Sequence, residues 1–232
     1  MAPLKLLTVV SSSLFLLARA NGNPVSDPPA DQTTYNVALG DEGKCLEEVN
    51  AARVAAGFSE LTKATKATSR LPKGGDFPQD EQTNWAWKPV CEALIPTKTK
   101  SRSATDTEDK AEFQSGTYAY LAIDDADSVD CKAVVDKWKD AYSNFDGLPP
   151  ANKEGEQLYD TQENVSFVAL YNPTKDATAD CRVVTCTKKT SAAGAAAASA
   201  RGNAEQNTET ASALICMTAP DVLADGAKAP FT

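Results

Sequence analysis

Six cysteines constrain this chain more than any other feature. They stand at Cys45, Cys91, Cys131, Cys181, Cys186 and Cys216. All of them lie behind a stretch that reads as a secretory leader. Residues 1–20, MAPLKLLTVVSSSLFLLARA, place Lys5 before an apolar run from Leu6 to Leu17, and Ala18-Arg19-Ala20 forms a small-x-small cleavage site. The run is too short to span a bilayer, so export followed by cleavage is the expectation. An even cysteine count in an oxidising compartment then predicts three disulfides. Zinc is the weaker alternative, because the chain has no CxxC pair and no histidine, leaving only scattered thiolates to hold a metal.

Spacing does not decide the pairing. If residues 181–186 are extended, their ends lie about 16 Å apart, far beyond disulfide reach. Odd spacing also sends Cys181 and Cys186 to opposite faces of the strand. Cys186 and Cys216 fall in successive predicted strands, and the pair favoured here is Cys186 with Cys216 across a hairpin.

At 232 residues the chain suggests one domain. Without Lys5 and Arg19 it carries 21 basic against 32 acidic residues, a net charge of −11. So acidic a surface argues against nucleic acid and anionic membrane as partners. Residues 21–43 are polar and proline-rich, an extended lead-in. A domain follows over 44–220, and 221–232 reads as a polar tail.

Within the domain, Leu46, Val49, Ala52 and Ala56 recur at helical spacing, with Gly57 as the stop and Asn50 and Arg53 on one side. Polar loops are expected at 63–80 and 97–112. Between them, Trp85 and Trp87 read as core beside Cys91 and not as a sugar-stacking platform. Residues 115–123, SGTYAYLAI, read as a strand. Asp124, Asp125, Asp127 and Asp130 lack the glycine and distal glutamate of a calcium loop. They suit a helix start, with Asp127 or Ser128 as the cap. That helix spans residues 128–145, with Cys131, Val134, Val135, Trp138, Tyr142 and Phe145 on its apolar face and Gly147, Pro149 and Pro150 ending it. VSFVALY, residues 165–171, reads as a central strand, with a turn from Asn172-Pro173. CRVVTCT (181–187) and SALICM (212–217) complete the sheet around a low-complexity, alanine-rich loop at 190–211.

Catalytic chemistry has little to stand on. Without histidine there is no Ser–His–Asp or Cys–His arrangement, and oxidised cysteines are not nucleophiles. Glu47 and Glu48 point to different sides of a helix, and Gly74-Gly75 is an isolated pair with no phosphate-loop context. The expectation is a non-enzymatic protein with no cofactor, no catalytic residue and no metal site.

Taken together, CLEEVNAARVAAG, SVDCKAVVDKWKDAYSNF, VSFVALYNPTKDATADCRVVTC and ALICMTAP resemble the SAG family of surface antigens from Eimeria-type coccidian parasites. Cysteine number and order match that family from Cys45 to Cys216. More distantly, VNAARVAAG looks like the HNxxRxxxG helix of the CAP superfamily, and the VSFVALY stretch looks like the CAP strand pair. That likeness implies an α+β fold, a CAP-like three-layer α/β/α sandwich around a small antiparallel sheet with three disulfides. Val49 and Val165 stand where CAP proteins that bind metal carry cleft histidines, so the likeness implies that the structural role is kept and the cleft chemistry is lost.

The SAG resemblance implies a parasite surface or secreted protein, probing host epithelial cell surfaces and meeting host antibodies, as a monomer. The loops at 63–80, 97–112 and 190–211 are its expected variable surface. The alternative is a secreted CAP-like binder of small lipids or sterols. Many SAG members are held by a GPI anchor, and the ending VLADGAKAPFT lacks the hydrophobic tail such an anchor needs. Asn164-Val165-Ser166 is a possible glycosylation sequon, Asn164 being the acceptor.

Overall fold

The computed structural model describes residues 32–77, 85–96, 113–153, 157–191 and 206–231. The leader at 1–20 and the expected loop at 97–112 lie outside them, as do 192–205 of the alanine-rich stretch.

Two long strands, β5 (Thr178–Ser191) and β6 (Gln206–Ala219), form the centre of a six-stranded, open sheet. β1 (Gln32–Leu39) lies antiparallel against β5, and β4 (Thr117–Ile123) lies antiparallel against β6. Two short strands finish the sheet. β2 (Thr62–Lys63) runs parallel to the start of β5, and β3 (Gly75–Asp76) pairs with β1.

Residues 32–39, expected in the polar lead-in, are therefore part of the sheet. Tyr35, Val37 and Leu39 alternate toward one core, a period-2 signal that flanking prolines and polar residues obscured.

Side chains of β5 and β6 alternate between two cores, as strand geometry requires. Cys181, Val183, Leu214 and Cys216 face one side, together with α1 (Leu46–Ala55) and α3 (Cys131–Asp140). Val184, Cys186, Ala213, Ile215 and Met217 face the other, where α2 (Lys88–Leu94) brings Cys91 beside the fully buried Trp87. The tryptophan is core next to a disulfide, as its sequence context predicts, and its indole nitrogen donates to Lys73 O at 2.9 Å.

The disulfides are Cys45–Cys131, Cys91–Cys186 and Cys181–Cys216. The expected Cys186–Cys216 pair is thus corrected. A cross-strand bridge does join β5 to β6, but the register sets Cys216 opposite Cys181 and leaves Cys186 opposite Ala211. Cys186 faces the other core, where α2 brings Cys91 to it.

A second correction concerns VSFVALY, which is helical. Residues 165–170 lie in α4 (Gln162–Leu170) and Tyr171 is its C-cap, so Val165 is not a strand residue. Asn164 and Ser166 to Leu170 are all buried, which means apolar residues occur on every side and neither a period of 2 nor of 3.6 stands out. The Asn172 turn does form, its side chain accepting from Thr174 N at 3.1 Å. The helix expected over 128–145 begins at Cys131, capped by Asp130 and not by Asp127 or Ser128. Asp130 Oδ1 accepts from Ala133 N at 2.9 Å. After Asp140 the chain continues as a 3-10 turn over 141–144.

The expected polar tail is also anchored. Asp221 Oδ1 accepts from Thr117 Oγ1 and from Leu223 N, both at 2.9 Å, and Leu223 is buried. No helix among the described residues is long and apolar enough to cross a membrane.

Candidate functional site

Helix α1 ends in a way that builds the site. Gly57 takes a positive φ of 85°, the left-handed conformation that glycine adopts freely. Its N–H donates to Val54 O at 3.0 Å, and Phe58 N–H donates to Arg53 O at 2.9 Å. This is a Schellman ending, and it turns Phe58 back across the helix terminus.

Beneath Phe58 lies Arg53, 1% exposed. Its Nε donates to Ser59 O at 2.9 Å, Nη1 to Leu170 O at 2.8 Å and Nη2 to Asn172 O at 3.0 Å. The guanidinium therefore caps the C-terminal end of α4, where carbonyls lack helical partners and the helix dipole is negative. Burial pulls the Arg53 pKa down, and the neighbouring Tyr171 phenol pushes back. The guanidinium carbon also sits 5.7 Å from the Phe58 ring centre. Asn50, the other polar residue on this side of α1, is spent on the backbone. Its side chain donates to Leu61 O and accepts from Leu61 N.

Above this foundation is an open pocket of about 370 Å³. Phe58 packs on Tyr171 at 5.6 Å and on Phe231 at 6.0 Å, while Phe167 lies 5.1 Å from Tyr171 and 5.9 Å from Tyr142. Leu148 and Pro149 form one lip, and Lys139 stands at the rim. Three large hydrophobic side chains are strongly exposed among the described residues, and two of them, Tyr142 at 61% and Leu148 at 64%, line this pocket. Burial raises the Tyr171 pKa, with Lys139 and Arg53 opposing the rise. The pocket is thus aromatic, with positive charge beside and below it. It offers mainly apolar contact area.

The residues singled out from sequence have other fates. Val49 is buried in the core between α1 and the sheet, whereas Val165 packs beside the aromatic cluster under α4, so the two belong to separate clusters. In the aspartate run, Asp125 Oδ1 accepts from the Asp127 and Ser128 amides. No group of three or more metal-binding side chains occurs among the described residues. Asn164 is 3% exposed; its amide donates to Leu158 O and its oxygen accepts from Asn144, both at 2.8 Å. Of the expected variable loops, 63–77 is tied down by β2, β3 and the buried Leu71, whose N–H donates to Asp180 Oδ2 at 2.9 Å. The pocket itself was missed. Its walls come from residues 56–58, 139–149, 167–171 and 231, and no local pattern links them.

Residues 41–232 match the family model described as the sporozoite surface antigen (SAG) protein domain. The chain is 30% identical over 186 residues to the sporulated oocyst TA4 antigen of Eimeria tenella, an alignment covering 76% of this chain and 65% of that protein. The match thus spans just under two thirds of that relative's length. No solved structure matches the chain.

Proposed function

Since this chain belongs to the sporozoite surface antigen (SAG) family, a class of antigens and not of enzymes, we propose that it is displayed or secreted by a coccidian parasite and attaches to host epithelial cells. Its aromatic pocket is the contact, and host antibodies meet the same surface. The observation that carries this reading is the pocket's rim. Tyr142 and Leu148 leave apolar surface in water at a concave site, where solvated side chains would otherwise be expected. Helices on both faces of the sheet support a CAP-like layering. Nothing favours the lipid or sterol alternative, and membrane attachment through a GPI anchor is not needed for the contact.

Binding of the mature, disulfide-intact protein to cultured intestinal epithelial cells tests this reading. Saturable binding is expected, weakened about tenfold by Tyr142→Ser combined with Leu148→Ser, a loss of the size one or two anchor side chains give. Val54→Ser is the control, removing the third strongly exposed apolar residue, which lies outside the pocket. Binding that is absent, or equally reduced by all three changes, overturns the pocket as the contact.

The sequon belongs to the same reading. A buried Asn164 with both polar atoms engaged leaves no room for a glycan, so the secreted chain is expected to have the mass of an unmodified polypeptide. A glycosidase-sensitive mass at Asn164 would show that the α4 region is open when the sugar is added.

A further inference from the structure

The chain treats the two ends of β6's outer side differently. Where β4 covers it, the outward backbone groups of β4 are in turn taken by side chains. Gln162 Nε2 donates to Tyr118 O at 2.8 Å, and Trp138 Nε1 donates to Tyr120 O at 3.0 Å. Ser166 Oγ accepts from Tyr120 N at 3.0 Å. Helices α3 and α4 therefore seal that edge against further strands.

The same contacts fix the parity of the ladder. Even-numbered residues of β4 point outward, so its odd-numbered residues bond to β6. The register from Thr117↔Thr218 to Ile123↔Ser212 then makes even-numbered β6 residues the ones that face β4. β6 extends past this register, from Ala211 back to Gln206, paired with β5 alone. By parity, Thr208 and Thr210 direct their N–H and C=O groups away from β5. Among the described residues no strand meets them.

Among the described residues this open stretch is blunted only by its shortness and by one charge. It has no proline and no lysine, its threonines favour extended backbone, and residues 207–210 are exposed. Its single charge, Glu209, lies 3.6 Å from Lys188 on β5.

We propose that residues 206–210 are a strand-addition site whose occupant is a second copy of this chain, the two β6 strands pairing antiparallel about a two-fold axis at Thr208. Charge and space select that axis. An axis at Glu209 would set this carboxylate directly opposite its own copy, which is destabilising. One at Thr210 would drive the partner strand into Ser212, where β4 already sits. The Thr208 axis pairs the two Thr208 residues in a hydrogen-bonding position and sets Asn207 opposite the partner's Glu209, where an amide can donate to a carboxylate. Both sheets then become one. The contact is smaller than the roughly 1,200 Å² of a standard interface, so association is weak in dilute solution and grows where molecules are crowded.

Sedimentation equilibrium on the mature protein, from about 10 μM to about 1 mM, covers the range for a contact of this size. A concentration-dependent dimer is expected, weakened about tenfold or more by Thr208→Pro and by Asn207→Asp. The first removes only an outward N–H, leaving the β5 ladder intact. The second turns an attractive pair into a repulsive one without touching the backbone, so it reports even if the proline variant does not fold. A monomer throughout the range, or a dimer indifferent to Asn207→Asp, overturns the proposal. So does a monomer that takes up an extended peptide of another protein along this edge.

Discussion

Arg53 shows how much of this fold hangs on one side chain. It joins the end of α1 to the end of α4 through three backbone carbonyls, and it supports Phe58 from below. Lysine keeps the charge but cannot present a planar fork to carbonyls in three directions. Arg53→Lys is expected to cost about 3 kcal/mol, and Arg53→Met about as much, since each leaves buried acceptors unmet. Urea unfolding would measure both, and a loss below about 1 kcal/mol would mean water replaces the guanidinium there. In sequence, Arg53 and Asn50 are visible as two polar residues on one side of a helix and as the R and N of the HNxxRxxxG-like stretch. Their partners, at 59, 61, 170 and 172, lie beyond any local pattern. Residue type was legible, but the role was not.

Among the elements, α2 is the least able to stand alone. Seven residues fall well short of the ~12–15 at which an isolated helix becomes even marginal. It is held by Trp87 in the core and by Cys91–Cys186. Replacing both cysteines by alanine is expected to cost about 2–4 kcal/mol. The first loss should be of amide protection at 85–96, with β5 and β6 still protected, as hydrogen exchange can show. Uniform loss across the sheet would mean that α2 folds with the rest as one unit. α3 was legible because it has one buried face and one wet one. β4 and the two long strands face a core on each side and were legible as short runs rich in β-branched and aromatic residues. Helix α4 was not, because burial on all sides erases the period, and its valines and phenylalanine favour the strand reading. The Cys186–Cys216 error has a similar root. Strand identity was right, but register depends on where the hairpin turns, and no turn motif in 190–211 marks the place.

At the scale of the whole molecule, the absence of histidine removes the side chain whose ordinary pKa lies between pH 5 and 8. The phenols of Tyr35, Tyr118, Tyr120 and Tyr171 are pushed up, in each case chiefly by burial. The folded state thus favours their neutral form. That contribution is fully present below the unfolded phenol value of about 10 and is lost as pH rises through the higher folded values. The thermal midpoint is expected to stay level from about pH 6 to 9 and to fall above about 10, in step with tyrosine ionisation followed by ultraviolet absorbance. A midpoint that moves between pH 6 and 8 would contradict it. The three disulfides carry a different consequence, one of connectivity. The loops closed by Cys45–Cys131, Cys91–Cys186 and Cys181–Cys216 overlap in series, each beginning before the previous one ends. One protease cut anywhere between Cys45 and Cys216 therefore releases nothing. The nicked molecule keeps all its pieces on one covalent body, and only a reductant reveals that the chain was ever broken.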